Sequence, residues 1–447
     1  MSNNTLSRRS FLTGFGAAGA LVAAGAMAGC APSVATKEDV AAQQTAAKHS
    51  WREKPAMPSK IAETIDADVV VVGAGNGGMV AATTAAQAGA KVIVLESCNG
   101  LACAREAIGA LNSKLAGEHT EDVAKLINHA SQVESGDINP PLYRTWAEKS
   151  GEMIEWMADT LAPLGMVFPF EWHKPDDEHA YYPAMCYNPC MGQYNPDGPN
   201  YTAYLHLKAL REVLEGLGGE IKFLTPAEQL VQDADGRVTG VIAQRESDGE
   251  YIQVNAAKGV IVCTGGYGAN DEMLEDLQPG VTDWYVTGSA TGEKGQGIKM
   301  ALWAGAQLEA GVLKKADTLE ELAGIMGFEG EAKKMFLATV ERYNQLYDQG
   351  EDVDFGKPAY RMSSVTQPPF YAARIAGTML VTMHGVITDT NSQPLREDGS
   401  VIDGLYVCGN DQGGFYPHHY PSNFTGINAG RTATFARIAA KPACDVK

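Results

Sequence analysis

A glycine-rich turn after a short apolar run constrains the fold of this chain more than any other feature. The β-branched residues 69–72 have the length of one buried strand, and Gly73, Gly75 and Gly78 follow at G-x-G-x-x-G spacing. The first glycine permits the tight bend, the second lets a pyrophosphate approach the backbone, and the third lets the next helix pack closely. The sequence therefore predicts a strand–turn–helix unit that binds a dinucleotide.

The residues after this turn complete the unit. Residues 77–88 are mostly Ala, Met, Val and Thr, which predicts a small-faced helix whose N-terminus directs free N–H groups at phosphate. A second predicted strand, residues 91–95, ends on Glu96, eighteen residues after Gly78. A carboxylate there accepts hydrogen bonds from a ribose diol and repels a 2′-phosphate, so FAD or NAD fits better than NADP. The alternative is an ordinary glycine turn. The residues expected to contact the dinucleotide here are Gly73, Gly75, Asn76, Gly77, Gly78, Glu96 and Ser97.

The composition excludes several kinds of partner. The 447 residues, 45% hydrophobic, suffice for a large α/β domain with an inserted second one. The formal net charge of −19 repels nucleic acid, and it would also repel a small dianionic substrate unless local Arg or Lys residues overcame it. The eight cysteines form neither a zinc pattern nor a C-x-x-C-H haem motif, so we expect no metal.

The N-terminus has the pattern of an export signal. Residues 7–12, Ser-Arg-Arg-Ser-Phe-Leu, match a twin-arginine signal, and an apolar stretch follows at residues 11–29. Residues 27–30 resemble a bacterial lipobox that ends in Cys30. We therefore expect a signal over residues 1–30, a tether over residues 31–64, and a lipid anchor on the outer face of the cytoplasmic membrane. The alternative is peptidase cleavage without lipid attachment.

The rest of the chain alternates helical and strand patterns. Asp235-Gly236 between two alternating runs predicts a hairpin. The other predicted strands cover residues 259–266, 371–387 and 404–409, and the predicted helices cover residues 121–133, 141–161, 201–217, 295–305, 317–347 and 425–440.

Several of these segments together resemble the FAD-dependent flavoproteins of the fumarate reductase and succinate dehydrogenase superfamily, above all the soluble exported fumarate reductases of the flavocytochrome c type. The resemblance implies an α/β fold, with a Rossmann-like FAD-binding domain in two parts, residues 65–310 and 381–447, and an inserted, truncated α+β capping domain over residues 311–380. The segments that carry it are the motif at Gly73 and residues 108–112, 264–270, 295–306, 316–323, 342–344, 369–371, 382–385 and 404–410.

The resemblance assigns a second group of residues to FAD. The strand that ends at Gly409 must pass close to the ribityl chain, and the start of the last helix, near Gly426, would present N–H groups to the pyrimidine edge of the flavin. Such donors favour negative charge on the reduced ring and so tune its potential. The alternative is a set of turn and cap glycines. The additional expected FAD residues are Gly109, Ala110, Gly265, Gly409, Asn410, Gly426 and Ile427.

Four pieces of the family's substrate chemistry are lost or altered. In the family a His and an Arg bind the substrate carboxylate, and another Arg delivers a proton opposite the hydride. Here the long central stretch between residues 306 and 316 is absent, His-Thr-Met-Gly becomes Val-Thr-Met-His at residues 381–384, and the Arg before the final Gly-Gly-Asn falls on Asn423 or its neighbour. An unpaired buried charge costs several kcal/mol, so we expect that fumarate is not the substrate.

Other residues could supply the proton. Residues 416–421 follow the FAD turn as a Tyr-containing segment does in ketosteroid dehydrogenases, which the chain resembles here. The candidates are His418, His419 and Tyr420, together with His384 on the expected substrate side of the ring. The alternative for each histidine is a hydrogen-bonded wall residue.

The sequence as a whole predicts an exported FAD-dependent oxidoreductase that transfers hydride between flavin N5 and an activated C=C or C–C bond next to a carbonyl or carboxylate. The substrate would be a small molecule, and electrons would come from a membrane or cytochrome partner because the chain has no haem motif. One alternative is a flavin-binding paralogue without turnover, since the cap with the catalytic Arg is deleted. The other is a ketosteroid-dehydrogenase-like enzyme.

The lipobox leads to a direct prediction. Cys30→Ser removes the acceptor thiol, so the protein should move from the membrane fraction to the soluble fraction of lysed cells. Ser33→Ala, three residues further on, is the matched control and should stay with the membrane. A Cys30→Ser protein that remains membrane-bound would count against lipidation.

Overall fold

The computed structural model describes most of the chain after residue 49. Among the described residues, no helix is long and apolar enough to cross a membrane. The predicted signal and lipid-attachment site lie outside the described residues, as do His418, His419 and Tyr420. The described ranges are residues 50–101, 103, 107–133, 138–173, 184–187, 204–278, 292–308, 314–355, 357, 362–368, 370–372, 382, 384–416, 424 and 426–444.

Strands and helices are interspersed along the described chain. The strands are β1 (Glu63–Val72), β2 (Val92–Leu95), β3 (Ile108–Gly109), β4 (Phe170–His173), β5 (Ala184–Tyr187), β6 (Glu220–Lys222), β7 (Ala227–Gln232), β8 (Val238–Gln244), β9 (Tyr251–Val262), β10 (Lys314–Ala316), β11 (Phe370–Ala372) and β12 (Leu405–Val407). The helices are α1 (Asn76–Gln87), α2 (Val123–Val133), α3 (Pro140–Leu161), α4 (Leu205–Gly216), α5 (Asp271–Leu277), α6 (Gln296–Trp303), α7 (Leu319–Ile325), α8 (Gly330–Gln349) and α9 (Ile427–Ala443).

The largest sheet of the described residues has seven strands. Its order is β6-β2-β1-β9-β8-β7, and β12 pairs with the C-terminal part of β9. Strands β6, β2, β1, β9 and β12 are parallel, whereas β9, β8 and β7 form an antiparallel meander. The predicted hairpin at Asp235-Gly236 is confirmed, because it joins β7 to β8 and Gly236 has a φ of +80°.

Both faces of the parallel strands are covered, which explains their near-continuous apolar sequences. Val69 and Val71 face a helical layer of α1, α3, α4 and α9. Val70 and Val72 point the other way, toward the meander and helices α5 and α6. Successive strand residues alternate between the two faces, so one β-branched run supplies both cores.

Two helices approach the backbone so closely that only glycine fits. A Cβ at Gly78 in α1 would overlap the carbonyl oxygen of Gly73, and a Cβ at Gly430 in α9 would overlap that of Gly109. These contacts fix α1 against the turn after β1, and α9 against β3.

The last part of the predicted tether packs on the domain. The Trp51 side chain is 5% exposed, and its indole N–H donates to Asp276 at the end of α5 over 3.1 Å. The amide of Gln229 donates to the carbonyl groups of Pro55 and Ala56, both over 3.1 Å. Strand β1 then begins at Glu63, two residues before the expected start of the FAD-binding domain.

A small α+β unit is inserted between α6 and β12. Strands β10 and β11 pair antiparallel, and helices α7 and α8 lie between them in sequence. This arrangement agrees with the predicted class of the inserted domain, while its boundaries at residues 311 and 380 stay a prediction. A second small antiparallel sheet has the order β3-β5-β4.

The strand predicted over residues 371–387 is confirmed at residues 371–372, which belong to β11, and is wrong at residues 384–387. Strand β11 ends at Ala372, and Val386 forms only isolated bridges with Leu308 and Gln412. A Cβ at Gly385 would overlap the carbonyl oxygen of Asp411, so the chain runs tightly past the turn after β12. The apolar pattern of residues 384–387 therefore reflects burial and not regular strand pairing.

The contact at Gly78 yields a stability prediction. Gly78→Ala forces a methyl group into the carbonyl of Gly73, so the free energy of unfolding should fall by about 3 kcal/mol, the upper range for overpacking. In the control, Gly216→Ala at the end of α4, the new Cβ meets no atom within 4 Å, and stability should change by less than about 1 kcal/mol. Denaturant unfolding measures both, and a Gly78→Ala protein of wild-type stability would contradict the close packing.

Candidate dinucleotide site

A cavity of about 500 Å³ opens at the carboxyl ends of the parallel strands. Val72, Leu95 and Cys263 line it at or just after the ends of β1, β2 and β9, and Gly409 lines it beyond β12. Ligands of open α/β sheets bind at this edge, and the volume is typical of cofactor sites. The cavity therefore lies where the sequence places the dinucleotide.

Two helix N-termini meet at this cavity. Helix α1 presents Asn76 and Gly77 to it, and helix α9 presents Asn428 and Ala429. The N-cap residue of each helix is a glycine, which has no side chain to accept from the first N–H groups. Such N–H groups carry partial positive charge and are a ready site for an anionic pyrophosphate. The donor set thus fits the phosphate portion of FAD.

Glu96 connects the two turns that form the cavity wall. Its Oε2 accepts from the backbone N–H of Ala74 over 2.6 Å, and its Oε1 accepts from that of Cys98 over 2.7 Å. The carboxylate lines the cavity beside Ser97. It is therefore held in place at the end of β2, where the sequence predicts a ribose ligand.

The predicted cofactor residues divide into two groups. Those that line the cavity are Gly73, Gly75, Asn76, Gly77, Glu96, Ser97, Gly265, Gly409 and Asn410. Five others lie behind this wall: Gly78 packs on Gly73, the N–H of Gly109 donates to the carbonyl of Gly426 over 2.8 Å, and Ala110 and Ile427 are fully buried. The start of α9 reaches the cavity through Asn428 and Ala429 instead.

Asp411 is a structural carboxylate that the sequence did not reveal. It is fully buried and accepts from Oγ1 of Thr264 over 2.9 Å, from the N–H of Gly266 over 3.0 Å, and from the N–H of Thr264. Burial raises the pKa of Asp411, and these hydrogen bonds oppose that rise. The residue joins the turn after β9 to the turn after β12, so it shapes the cavity from behind.

The cavity also has an acidic wall. Glu228, Glu246 and Glu293 line it, with Lys294 and Lys299 as the cationic residues. Burial, and next the charge of Asp411, raises the pKa of Glu293 to about 8. Glu293 therefore holds its proton at pH 7, which removes one negative charge from a cavity that must accept a pyrophosphate. In the sequence, the only indication that Glu293 belongs to the site is its position just before the glycine-rich start of α6.

Asn76 is held by a buried histidine. Nε2 of His206 in α4 lies 2.6 Å from Oδ1 of Asn76. Burial lowers the pKa of His206 to about 4, so this ring is neutral at physiological pH. The contact fixes the first residue of α1, and His206 does not itself line the cavity.

Of the four predicted proton donors, only His384 lies in the described part of the chain. His384 is 3% exposed, lies with Nδ1 3.3 Å from the hydroxyl of Tyr267, and does not line the cavity. His384 is therefore a buried residue in contact with Tyr267, behind the described wall of the cavity. His418, His419 and Tyr420 lie outside the described ranges. No cluster of His, Cys, Asp or Glu in the described part of the chain could hold a metal ion.

The raised pKa of Glu293 predicts a pH-dependent stability. The folded protein keeps this proton while the unfolded chain loses it, so the free energy of unfolding falls as pH rises from about 4.5 to about 8. Glu293→Gln removes this loss and should stabilise the FAD-free protein at pH 8 by at least about 1.4 kcal/mol, the free energy of one pKa unit. The difference should nearly vanish at pH 4.5.

Denaturant unfolding at both pH values measures this effect. Glu331→Gln, at an exposed position of α8, is the control and should give no gain that depends on pH. An equal gain from Glu293→Gln at both pH values would contradict the burial of a protonated carboxyl.

Comparisons with known proteins agree with this geometry. The family model described as FAD binding domain matches residues 68–319 and 328–425. Vinyl phenol reductase of Lactiplantibacillus plantarum is 26% identical in a gapped alignment that covers 81% of this chain and 93% of that protein. Digoxin reductase of Eggerthella lenta is 30% identical over 330 residues, covering 68% of this chain and 55% of that protein.

A 3-oxosteroid 1-dehydrogenase of Mycobacterium tuberculosis is 36% identical in a gapped alignment that covers 30% of this chain. The chain spans about a quarter of the length of that relative, since the match covers 25% of it.

Solved structures show the same fold. A 3-ketosteroid-Δ4-(5α)-dehydrogenase from Rhodococcus jostii aligns with a TM-score of 0.61 at 22% identity, covering 88% of this chain and 100% of that one. A flavocytochrome c3 fumarate reductase aligns with a TM-score of 0.58 at 21% identity, covering 89% of this chain and 82% of that one. The chain therefore belongs to the family of FAD-binding domains, within the superfamily of fumarate reductase and succinate dehydrogenase flavoproteins, and its cofactor is FAD.

Proposed function

We propose that this protein is an FAD-dependent oxidoreductase that acts on an activated C=C or C–C bond next to a carbonyl or carboxylate. FAD, when bound, supplies the hydride acceptor or donor. The observation that carries the proposal is the cavity at the carboxyl edge of the sheet, where two helix N-termini and Glu96 meet. The named relatives support it, because they include a vinyl phenol reductase, a digoxin reductase, 3-oxosteroid dehydrogenases and fumarate reductases.

The residues of this chain would hold and orient the cofactor. The N–H groups at the starts of α1 and α9 would bind the pyrophosphate and the polar edge of the flavin, and Glu96 would accept from a ribose hydroxyl. Asp411 would keep the turns after β9 and β12 at a fixed separation through its bonds to Thr264 and Gly266.

A neutral or singly charged substrate suits this site better than fumarate. In the described part of the cavity, Lys294 and Lys299 face Glu96, Glu228 and Glu246, and the whole chain carries a net charge of −19. Glutamates outnumber lysines in the described wall, so a dianionic substrate beside the pyrophosphate would lack cationic partners. His418, His419 and Tyr420 remain the proposed proton donors, with His384 as a weaker candidate because it lies outside the cavity wall.

The proposed cellular setting follows from the N-terminal sequence. Export by the twin-arginine route would carry the folded protein with its flavin across the membrane, and Cys30 would anchor it to the outer face. Electrons would then come from a membrane or cytochrome donor.

A specific observation favours a second candidate, a flavin-binding paralogue without turnover. None of the described residues between 314 and 372 lines the cofactor cavity, so the described part of the inserted unit does not contribute to its wall. A third candidate, a ketosteroid-dehydrogenase-like enzyme, is favoured by the 36% identity over 148 residues to 3-oxosteroid 1-dehydrogenase.

Anaerobic reoxidation separates these candidates. The chemically reduced holoprotein is mixed with fumarate, urocanate, a cinnamate-type acid, 4-vinylphenol and a 3-ketosteroid, and the return of flavin absorbance is followed. At least one acceptor other than fumarate should reoxidise the protein about tenfold faster than fumarate, a difference of about 1.4 kcal/mol in barrier. Reoxidation by none would favour the paralogue without turnover, and the 3-ketosteroid alone would favour the third candidate.

Reduced free FAD at equal concentration is the control for these mixtures. With the best acceptor, His419→Ala and Tyr420→Phe test the proposed proton donors, and loss of a general acid should slow reoxidation by about 10²-fold or more. Unchanged rates in both variants would remove these residues from the mechanism.

A further inference from the structure

Arg431, in the second turn of α9, buries a guanidinium group that is permanently charged. Its side chain is 1% exposed, although it is one of the longest in the molecule. Nε donates to Oδ1 of Asn428 over 3.2 Å, Nη2 donates to Oδ1 of Asn410 over 3.3 Å, and Nη1 donates to the carbonyl of Gln412 over 3.3 Å. All three acceptors are neutral.

Two aromatic rings complete the surroundings of this guanidinium. Its Cζ lies 4.6 Å from the ring centre of Tyr416 and 5.0 Å from that of Phe415. No ion pair found within the described ranges includes Arg431. The adjoining segment, residues 417–423, has the sequence Pro-His-His-Tyr-Pro-Ser-Asn and so holds no acidic residue.

Such a charge is costly unless something compensates it. A guanidinium stays protonated at every physiological pH, and burying it without a counter-charge costs several kcal/mol. Each cation–π contact returns about 0.5–2 kcal/mol, and the amide hydrogen bonds return part of the remainder. No described group supplies the negative charge that would normally accompany a buried arginine.

The location of Arg431 indicates where such a charge arises. Its partners Asn410 and Asn428 both line the cofactor cavity, so the guanidinium lies one side chain behind the wall. Asn428 belongs to the N-terminal turn of α9, the part of the site expected at the pyrimidine edge of the flavin. A positive charge at this depth acts in a medium of low dielectric and is therefore weakly screened.

We propose that Arg431 is a positioning residue for flavin reduction: through Asn410 and Asn428 it stabilises the negative charge that the ring gains when it takes up two electrons and one proton. Arg431 therefore raises the reduction potential of the bound FAD. The inference deepens the proposed function and rests on it only in taking the flavin as the redox group. Without Arg431 the oxidised state of the flavin, which carries no ring charge, is favoured.

Reduction potentials of the holoprotein test this role without any substrate. Wild-type protein, Arg431→Gln and Arg431→Lys are each photoreduced under argon beside a dye of known potential. Arg431→Gln should lower the two-electron potential by at least about 30 mV, which is a tenfold change in the equilibrium constant. Arg431→Lys keeps the charge and should lower it by clearly less.

Arg437→Gln is the matched control on the same helix. Arg437 pairs with Glu152 over 2.7 Å and does not line the cofactor cavity, so its replacement should leave the potential unchanged. FAD affinity is measured in parallel by fluorescence. Should Arg431→Gln fail to fold, Arg431→Met keeps much of the side-chain volume and serves the same comparison.

Two results would overturn the proposal. An unchanged potential in Arg431→Gln would show that the charge is only structural. Weaker FAD binding at an unchanged potential would show that Arg431 acts on the pyrophosphate and not on the ring. The measurement uses no substrate, so it also works on a protein that binds FAD without turnover. Failure of the proposed function can therefore be told apart from failure of this proposal about Arg431.

Discussion

Backbone N–H groups that no side chain caps are the feature on which this site depends. Helices α1 and α9 both begin after a glycine, and both point their first turns into the same cavity. They converge because α1 packs on the turn after β1 and α9 packs on β3 with no room for a Cβ at Gly78 or Gly430. The close packing at Gly78 and Gly430 directs the two helices at the cavity, and the N-cap glycines Gly75 and Gly426 leave the first N–H groups available to phosphate.

The charges around the cavity make sense together once a negatively charged cofactor is considered. Four glutamates line the cavity against two lysines, so a fully ionised wall would oppose a pyrophosphate. Burial reduces this opposition by holding the proton on Glu293, whose pKa rises to about 8. Asp411 does not line the cavity, and backbone and hydroxyl donors surround its buried carboxylate. Arg431 adds a positive charge behind the wall, and the neutral amides of Asn410 and Asn428 separate it from the cavity.

Local sequence predicted the first half of the site well because its contacts are local. The turn at Gly73 and the carboxylate of Glu96 lie within 25 residues of each other, and spacing alone placed them at one edge of the sheet. Asp411 contacts Thr264, which lies 147 positions earlier in the chain, and no sequence pattern in either segment predicts this contact. The start of α9 was predicted at the right place, and Asn428 and Ala429 of this turn line the cavity. Which residues of the turn reach the cavity depends on the packing of α9 against α1 and β3, which spacing does not encode.

The fold determines cofactor binding much more strongly than it determines substrate choice. Cofactor binding follows from the strand ends and helix starts, which any member of this fold must possess, so family membership is enough to assign FAD. Substrate choice depends on the side chains that surround the cofactor, and proteins of the same fold differ widely in these side chains. In this chain the inserted unit between β10 and β11 contributes no described residue to the cavity. The residues that the fold positions well are therefore those of the cofactor cavity, and selectivity for a substrate depends on side chains outside this described wall.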